Sequence, residues 1–337
     1  MPQQRVPYID FLKGVCIIMV MMYHISHNAF NDLVPGSTNA VMALLMPMFF
    51  FISGINFKTY DGLADFLRRK VNSILVPLLF FIVFALVVRL AEWAVRWLLG
   101  ATPVSVSLSM LYEPFIQRYW PFTAQLWFLF GLFWVNIIYY VLQRWLPRWA
   151  IVLTIIALAL VGCWMGQQRI YLPWMIDTAL VSLPFFLAGR CASLWGCVQP
   201  SRHDRWGIVV LLLAIVPVYL WAGELSVHFM ILPPFWQFYP ISLLAVVALF
   251  WAAKNLPHIP VLCDIGRYSL IIFGTHPVLM YPIRFACEHY GLQPGNALTL
   301  TVLVLLLCVE IPVVWLLKRY FPRFTALKPL FKPGWRL

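Results

Sequence analysis

Long apolar segments alternate with short polar junctions along the whole chain. A transmembrane helix requires about 20 mostly apolar residues, and ten segments approach or exceed that length. They cover residues 9–28, 41–57, 74–97, 125–142, 151–165, 175–194, 207–223, 239–253, 269–286 and 297–317. Turn-forming pairs such as Pro233-Pro234 and Pro294-Gly295 lie between them. The pattern predicts an all-α fold, a polytopic membrane helical bundle with about ten transmembrane helices.

The composition excludes a soluble protein. Of the 337 residues, 63% are hydrophobic and 11% are charged, whereas a soluble domain is about half apolar and about a quarter charged. The formal net charge is +12. Its basic residues lie between apolar segments instead of forming one polar face, so we expect no nucleic-acid partner. The seven cysteines have neither metal-binding nor disulfide spacing, so we expect packing residues and no metal site.

The orientation follows from the positions of the basic residues. Alternate junctions hold 18 of the 24 Lys and Arg residues. The positive-inside rule therefore predicts that both termini are cytoplasmic, and an even number of spans agrees. We expect no separate soluble domain, so residues 1–337 are predicted to form one membrane domain. The first segment is interpreted as a retained span, because it holds ionisable residues and no small-residue cleavage site follows it.

The first span contains Asp10, Lys13 and His24, whose ionisable side chains are costly at membrane depth. Lys13 and His24 are eleven residues apart, which places them on one helix face about 16 Å apart along the axis. Asp10 is three residues before Lys13 and can pair with it. Lys13 can extend to the lipid headgroups, and His24 can be an interfacial residue with one hydrogen bond. Alternatively, His24 is a general base that takes a proton from a hydroxyl group.

A second histidine lies in the ninth span. His276 is nine residues from Arg267, or about 14 Å from the predicted cytoplasmic end. A lone imidazole facing lipid is unfavourable there. We therefore expect His276 either to make an interhelical hydrogen bond or to act in the same chemistry as His24. Pro277 follows directly and is expected to kink the helix beside a polar cavity.

Two further sets of charged residues lie near the ends of spans. Arg89, Glu92 and Arg96 have spacings of three and four, which predict an ion-pair ladder. The ladder is either a solvated helix end or an entrance for a polar acceptor. Glu310 in the tenth span either pairs with a basic residue of a neighbouring helix or faces the same cavity as the histidines.

A basic cluster precedes the third span. Arg68, Arg69 and Lys70 are consecutive. Such residues set membrane topology and contact lipid headgroups. They can also bind the phosphate groups of a cytosolic ligand, because guanidinium groups match phosphate oxygens. Charge alone favours the first of these interpretations, a role in topology and headgroup contact.

Five segments, in order along the chain, are similar to those of one known family. They are YIDFLKG at 8–14 followed by His24, MPMFFFISG at 46–54, LWFL at 126–129, WMIDTA at 174–179 with LPFFLAG at 183–189, and IGRYS at 265–269 followed by His276-Pro277. Together they resemble membrane acyltransferase family 3, the bacterial O-acyltransferases of cell-surface sugars. One feature departs from the family, which often has two arginines three apart shortly before a proline. Lys70 and Ser73 hold the expected positions relative to Pro77, and Arg68 and Arg69 are candidates to replace that pair.

The resemblance implies a multi-pass enzyme of the bacterial inner membrane that transfers an acyl group to a hydroxyl of a glycan or lipid-linked sugar. The expected group is acetyl from acetyl-CoA, which is a co-substrate, and no permanently bound cofactor is expected. The expected partners are the lipid bilayer, acyl-CoA and the acceptor; the sequence does not predict an oligomeric state. The candidate catalytic residues are His24, His276, Lys13 and Asp10. The candidate donor-binding residues are Arg68, Arg69 and Lys70.

Within this scheme His24 deprotonates the acceptor hydroxyl or carries the acyl group briefly, and His276 takes that role itself or orients His24. A transporter or exporter of a polar or glycan substrate is the main alternative, because intramembrane polar residues also line transport pathways. A structural subunit of an envelope complex is a third interpretation, but it gives no role to intramembrane histidines.

Overall fold

The computed structural model describes residues 6–27, 37–58, 60–102, 104–116, 118, 124–256, 258–293 and 295–331. These ranges are mainly helical and contain no strand beyond the isolated bridge between Ser226 and Ile231. The helices are α1 Pro7–His27, α2 Ser37–Ile55, α3 Leu63–Lys70, α4 Val76–Leu98, α5 Glu113–Ile116, α6 Trp127–Trp145, α7 Arg148–Gln167, α8 Ile176–Leu194, α9 Gly207–Trp221, α10 Phe235–Ala253, α11 Pro260–Arg267, α12 Ser269–His289 and α13 Asn296–Tyr320.

Ten helical segments in the described ranges are long and apolar enough to cross a membrane. They match the ten predicted spans one for one, so the all-α polytopic fold is confirmed. The third span differs most from its prediction, because it runs over 36 residues from Leu63 to Leu98. Its first part is α3, and a π-helix, Val71–Leu75, joins α3 to α4. The basic residues before the predicted span are therefore helical.

Helix α4 illustrates how these helices divide between lipid and protein. Leu79, Val83, Val87 and Leu90 recur every three or four residues and are 47% to 57% exposed. Such a spacing places them on one face of the helix, and a soluble protein rarely exposes so much continuous apolar surface. The opposite face, which includes Ile82, is buried. The exposed face therefore fits contact with lipid chains.

The chain divides into two compact units. The first comprises Met1–Val20, Val34–Thr59 and Trp134–Ser269. Within it α2 and α8 are in close contact through Gly54 and Gly189. A Cβ at Gly54 would overlap the carbonyl of Phe186, and a Cβ at Gly189 would overlap the carbonyl of Phe51. Small residues at such positions let two membrane helices approach closely, which gives a physical reason for the glycines that end two of the five family-like segments.

The start of α1 contacts α11 within the same unit. A Cβ at Gly14 would overlap the carbonyl of Leu262, and a Cβ at Gly266 would overlap the carbonyl of Asp10. The Tyr8 hydroxyl donates a 2.7 Å hydrogen bond to the carbonyl of Val198. The first and last family-like segments therefore meet at this helix crossing.

The second unit comprises Met21–Leu33, Tyr60–Phe133 and Leu270–Leu337. Its core is aromatic: the ring of Phe128 packs 5.5 Å from that of Phe273, and Gly274 faces the ring of Phe81. In the loop 98–124 the described residues include a 3₁₀ turn, Leu108–Leu111, and α5. The orientation of the termini and the single-domain organisation stay predictions.

Candidate active site

The structure brings His24 and His276 into direct contact. His24 lies near the end of α1 and His276 lies in α12, and both belong to the second unit. Nδ1 of His24 is 2.8 Å from Nε2 of His276, and the two ring planes are within 13° of parallel. His276 is fully buried, whereas His24 is partly exposed. A hydrogen bond therefore joins two imidazole rings in predicted membrane-spanning helices, and the ring of His24 is the more exposed of the two.

The hydrogen-bond partners assign the tautomers. Nδ1 of His276 is 2.7 Å from the carbonyl of Ile272, and a carbonyl can only accept. Nδ1 of His276 therefore carries a proton, and Nε2 of the neutral ring accepts from Nδ1–H of His24. It follows that the lone pair of neutral His24 lies on Nε2. Nε2 of His24 is thus the basic nitrogen of the pair, and the Ile272 carbonyl and His276 orient it.

Aromatic rings surround the histidine pair. The Tyr23 ring lies 5.4 Å from the ring of His24, and the Phe273 ring lies 6.5 Å from that of His276. Phe128, from the LWFL segment of α6, contacts Phe273 in turn. An apolar shell of this kind limits water access and strengthens the polar contacts inside it.

Thr275 and Glu310 form a second buried contact next to His276. The Thr275 hydroxyl oxygen is 2.9 Å from both carboxyl oxygens of Glu310 and 2.8 Å from the carbonyl of Ile271. Thr275 is fully buried and Glu310 is 2% exposed. Glu310 therefore ties α13 to α12 beside the catalytic candidate, a contact that neither of its two predicted roles included.

Asp10 and Lys13 form a separate pair. Nζ of Lys13 is 3.6 Å from Oδ1 of Asp10, as their spacing predicts. Lys13 is eleven residues from His24 on the same helix, or about 16 Å along the axis. Asp10 and Lys13 belong to the first unit, whereas both histidines belong to the second.

The three basic residues before the π-helix are held by local contacts. Asp65 accepts hydrogen bonds from both Arg68 and Arg69. The Arg69 guanidinium and the Lys70 ammonium lie 5.8 and 5.7 Å from the centre of the Tyr60 ring. Asp65, together with Asp61, which also interacts electrostatically with Arg69, offsets two of the three positive charges, so these five residues keep one net positive charge.

The Arg89–Glu92–Arg96 ladder forms as its spacing predicts, but it is not a solvated helix end. Glu92 accepts from Arg89 at 2.5 Å and from Arg96 at 2.9 Å, and Arg89 and Glu92 are 6% and 5% exposed. The interpretation as a solvated end is therefore wrong, because α12 covers this part of α4: the Arg89 and Arg96 guanidinium groups lie over the rings of Tyr281 and Phe285.

The second unit also buries two polar residues that no sequence pattern had indicated. Gln125 is 5% exposed, and its Nε2 has no hydrogen-bond partner among the residues that the structure describes. Asn72 is 8% exposed and bonds to the backbone of the C-terminal segment. Both side chains are neutral and lie outside recognisable motifs, so only the folded arrangement reveals them. Within the described ranges no group of three His, Cys, Asp or Glu side chains could hold a metal ion.

Comparison with known families agrees with the resemblance seen in the sequence. The model of acyltransferase family 3, described as an acyltransferase domain, matches residues 6–319, which is nearly the whole chain. Neither the comparison with curated proteins nor that with solved structures finds a match. The chain therefore belongs to acyltransferase family 3 and is a multi-pass membrane acyltransferase.

Proposed function

We propose that this chain transfers an acetyl group from acetyl-CoA to a hydroxyl of a glycan or lipid-linked sugar in the bacterial inner membrane. The observation that carries the proposal is the hydrogen bond between His24 and His276, which leaves a basic nitrogen on a partly exposed ring inside an acyltransferase. Membership of an acyltransferase family favours this reaction over the transporter alternative, which explains intramembrane histidines but not that membership.

The reaction needs a base for the acceptor and an acid for the leaving thiol. Nε2 of His24 accepts the proton of the acceptor hydroxyl while the hydroxyl oxygen attacks the thioester carbonyl carbon. The carbon–sulfur bond then breaks, and the proton on Nε2 passes to the departing thiolate. The products are the O-acetyl ester and CoA, and His24 returns to its neutral form.

His276 acts through His24 and not on the substrate. When His24 gains a proton, its Nδ1–H still donates to the neutral Nε2 of His276, so the cation is stabilised where it forms. The Ile272 carbonyl holds His276 in the tautomer that can accept. This arrangement resembles the third member of a hydrolase triad in its role, with a neutral imidazole in place of a carboxylate.

The acyl donor is polyanionic and is expected to enter from the cytoplasmic side. Arg68, Arg69 and Lys70 are the candidates for its phosphate groups, supported by their excess of positive charge after pairing with Asp65. Lys13, paired with Asp10, is about 16 Å from His24 along α1. Lys13 stays a candidate catalytic residue, as the family resemblance implies.

A label-transfer experiment tests the proposal. Purified protein in nanodiscs is incubated with acetyl-CoA labelled in the acetyl group and with a glycan and glycolipid extract from producing cells. We expect label in an ester of the extract, and we expect His24→Gln to abolish it while the protein still inserts and folds. Label that stays on the protein of the wild type would instead indicate an acyl group carried by His24. Full transfer by the His24→Gln variant would refute the proposed base.

A further inference from the structure

The segment after α13 is fixed to the second unit by the side chain of Asn72. Nδ2 of Asn72 donates to the carbonyl of Phe331 at 3.0 Å, and Oδ1 accepts from the N–H groups of Leu330 and Phe331, each at 2.9 Å. Asn72 is 258 or more residues away from these partners in sequence. It lies in the π-helix that follows the basic cluster, and π turns occur frequently at functional sites.

A second contact fixes the start of the same segment. The ring of Phe80 lies 5.5 Å from that of Phe321 and 5.8 Å from that of Phe324. Phe80 follows Asn72 by eight residues, or about 12 Å along the helix axis. Residues 321–331 therefore run back along the helix from Phe80 to Asn72, in the direction of the basic cluster.

This arrangement brings two cationic segments together. Residues 311–337 contain no Asp or Glu, and Arg323 and Lys328 are exposed. Lys328 precedes Leu330 by two residues, and Lys70 precedes Asn72 by two. Because consecutive Cα atoms are about 3.8 Å apart, the backbones of both lysines lie within about 8 Å of residues joined by the Asn72 hydrogen bonds.

An uncharged amide holds these two segments together, and it neutralises neither of them. The basic side chains of the two segments carry charges of the same sign, and an anion bound between them would reduce their mutual repulsion. Lysine ammonium groups and the guanidinium of Arg69, whose side chain is 47% exposed, are suited to phosphate oxygens. The geometry thus describes two walls of a site for a phosphorylated ligand.

We propose that residues 321–331 and the cluster Arg68–Lys70 form the two walls of one phosphate-binding site, that Asn72 sets their spacing, and that the phosphate groups of the acyl donor are the ligand. The assignment of the ligand rests on the proposed function. Lys328 is a binding residue in this site, and Asn72 is a positioning residue. A phosphorylated lipid headgroup has the same chemistry, and the experiment distinguishes the two sources.

The binding of CoA itself tests the site without an acceptor. Full-length protein is reconstituted in phosphatidylcholine nanodiscs, and calorimetry gives the Kd of CoA for the wild type, Lys328→Gln, Asn72→Ala and the control Arg202→Gln. Arg202 is an exposed basic residue of the other unit, so its replacement removes the same charge elsewhere. We expect Lys328→Gln to raise the Kd about two- to fivefold, the range of one exposed ion pair. We expect Asn72→Ala to raise it at least as much and Arg202→Gln to leave it unchanged.

A lipid arm separates the possible ligands. The unfolding temperature of each protein is compared between phosphatidylcholine nanodiscs and nanodiscs that contain phosphatidylglycerol. Equal CoA affinities in the wild type and Lys328→Gln would overturn the donor assignment. If Lys328→Gln then also keeps the full stabilisation by phosphatidylglycerol, no phosphate site exists at these walls; loss of that stabilisation would assign the site to lipid. A wild type that does not bind CoA contradicts the proposed donor itself, and the lipid arm still decides whether the phosphate site is present.

Discussion

Replacing His276 with alanine tests how the histidine pair works. The change removes the acceptor of the 2.8 Å hydrogen bond from Nδ1 of His24. His24 then loses the contact that fixes its tautomer and stabilises its protonated form. A hydrogen bond to a charged group contributes about 1.5–3 kcal/mol, which corresponds to an approximately 10- to 150-fold loss of rate. His24→Ala removes the base itself, for which we expect a loss of about 10²- to 10⁴-fold.

The assay is the release of CoA thiol from acetyl-CoA by protein in nanodiscs, with a glycan and glycolipid extract as acceptor. His289→Ala is the matched control, because His289 is an exposed histidine on the same helix. His276→Gln provides a rescue, since its amide oxygen can accept from Nδ1–H of His24 near the original Nε2 position. We expect His276→Gln to be faster than His276→Ala and His289→Ala to match the wild type. Rates are compared per folded protein, because His276 is fully buried and its loss leaves a cavity.

The double variant gives the decisive comparison. If His276 acts only through His24, then His24→Ala/His276→Ala is no slower than His24→Ala alone. A double variant whose loss equals the product of the two single losses would show that His276 acts independently. A wild-type rate for folded His276→Ala would refute the reasoning altogether.

Three further predictions concern stability. Thr275→Val removes the hydroxyl partner of the buried Glu310 carboxyl, so we expect a lower unfolding temperature. Glu310→Gln should lower the unfolding temperature less, because it keeps a hydrogen-bonding group beside Thr275. Equal decreases for the two variants would contradict this. Gly54→Ala inserts a methyl group into the contact with α8 and should reduce the yield of folded protein, whereas Gly295→Ala, which meets nothing within 4 Å, should not. Gln125→Leu removes a buried amide whose Nε2 has no partner in the described part of the chain. We expect the unfolding temperature, measured by thermal unfolding in detergent, to stay equal or rise; a clear decrease would show that the amide makes a stabilising contact.

Contacts between residues three or four apart could be predicted from the sequence. The Asp10–Lys13 pair and the two bonds of Glu92 depend only on helical periodicity, and both are present. The ten spans follow from hydrophobicity in the same way, because the bilayer fixes the length of a helix that crosses it.

Contacts between distant segments could not be predicted in this way. His24 and His276 are 252 residues apart. Each could be identified as a candidate because an ionisable side chain is unfavourable at membrane depth. Helical periodicity, however, cannot predict that two residues so distant in sequence are in contact. The burial of Glu92 depends on which helix covers α4, and the sequence does not contain that information. Asn72 carries no charge and belongs to no motif, so its contact with the C-terminal segment appears only in the folded chain.

The central claim is that Nε2 of His24 is the base for acyl transfer from acetyl-CoA. The most direct measurement compares wild type and His24→Gln for transfer of labelled acetyl from acetyl-CoA to an ester in the glycan and glycolipid extract. The claim predicts labelled ester with the wild type and only background label with a His24→Gln protein that folds and binds CoA normally. Equal amounts of labelled ester from the two proteins would contradict it.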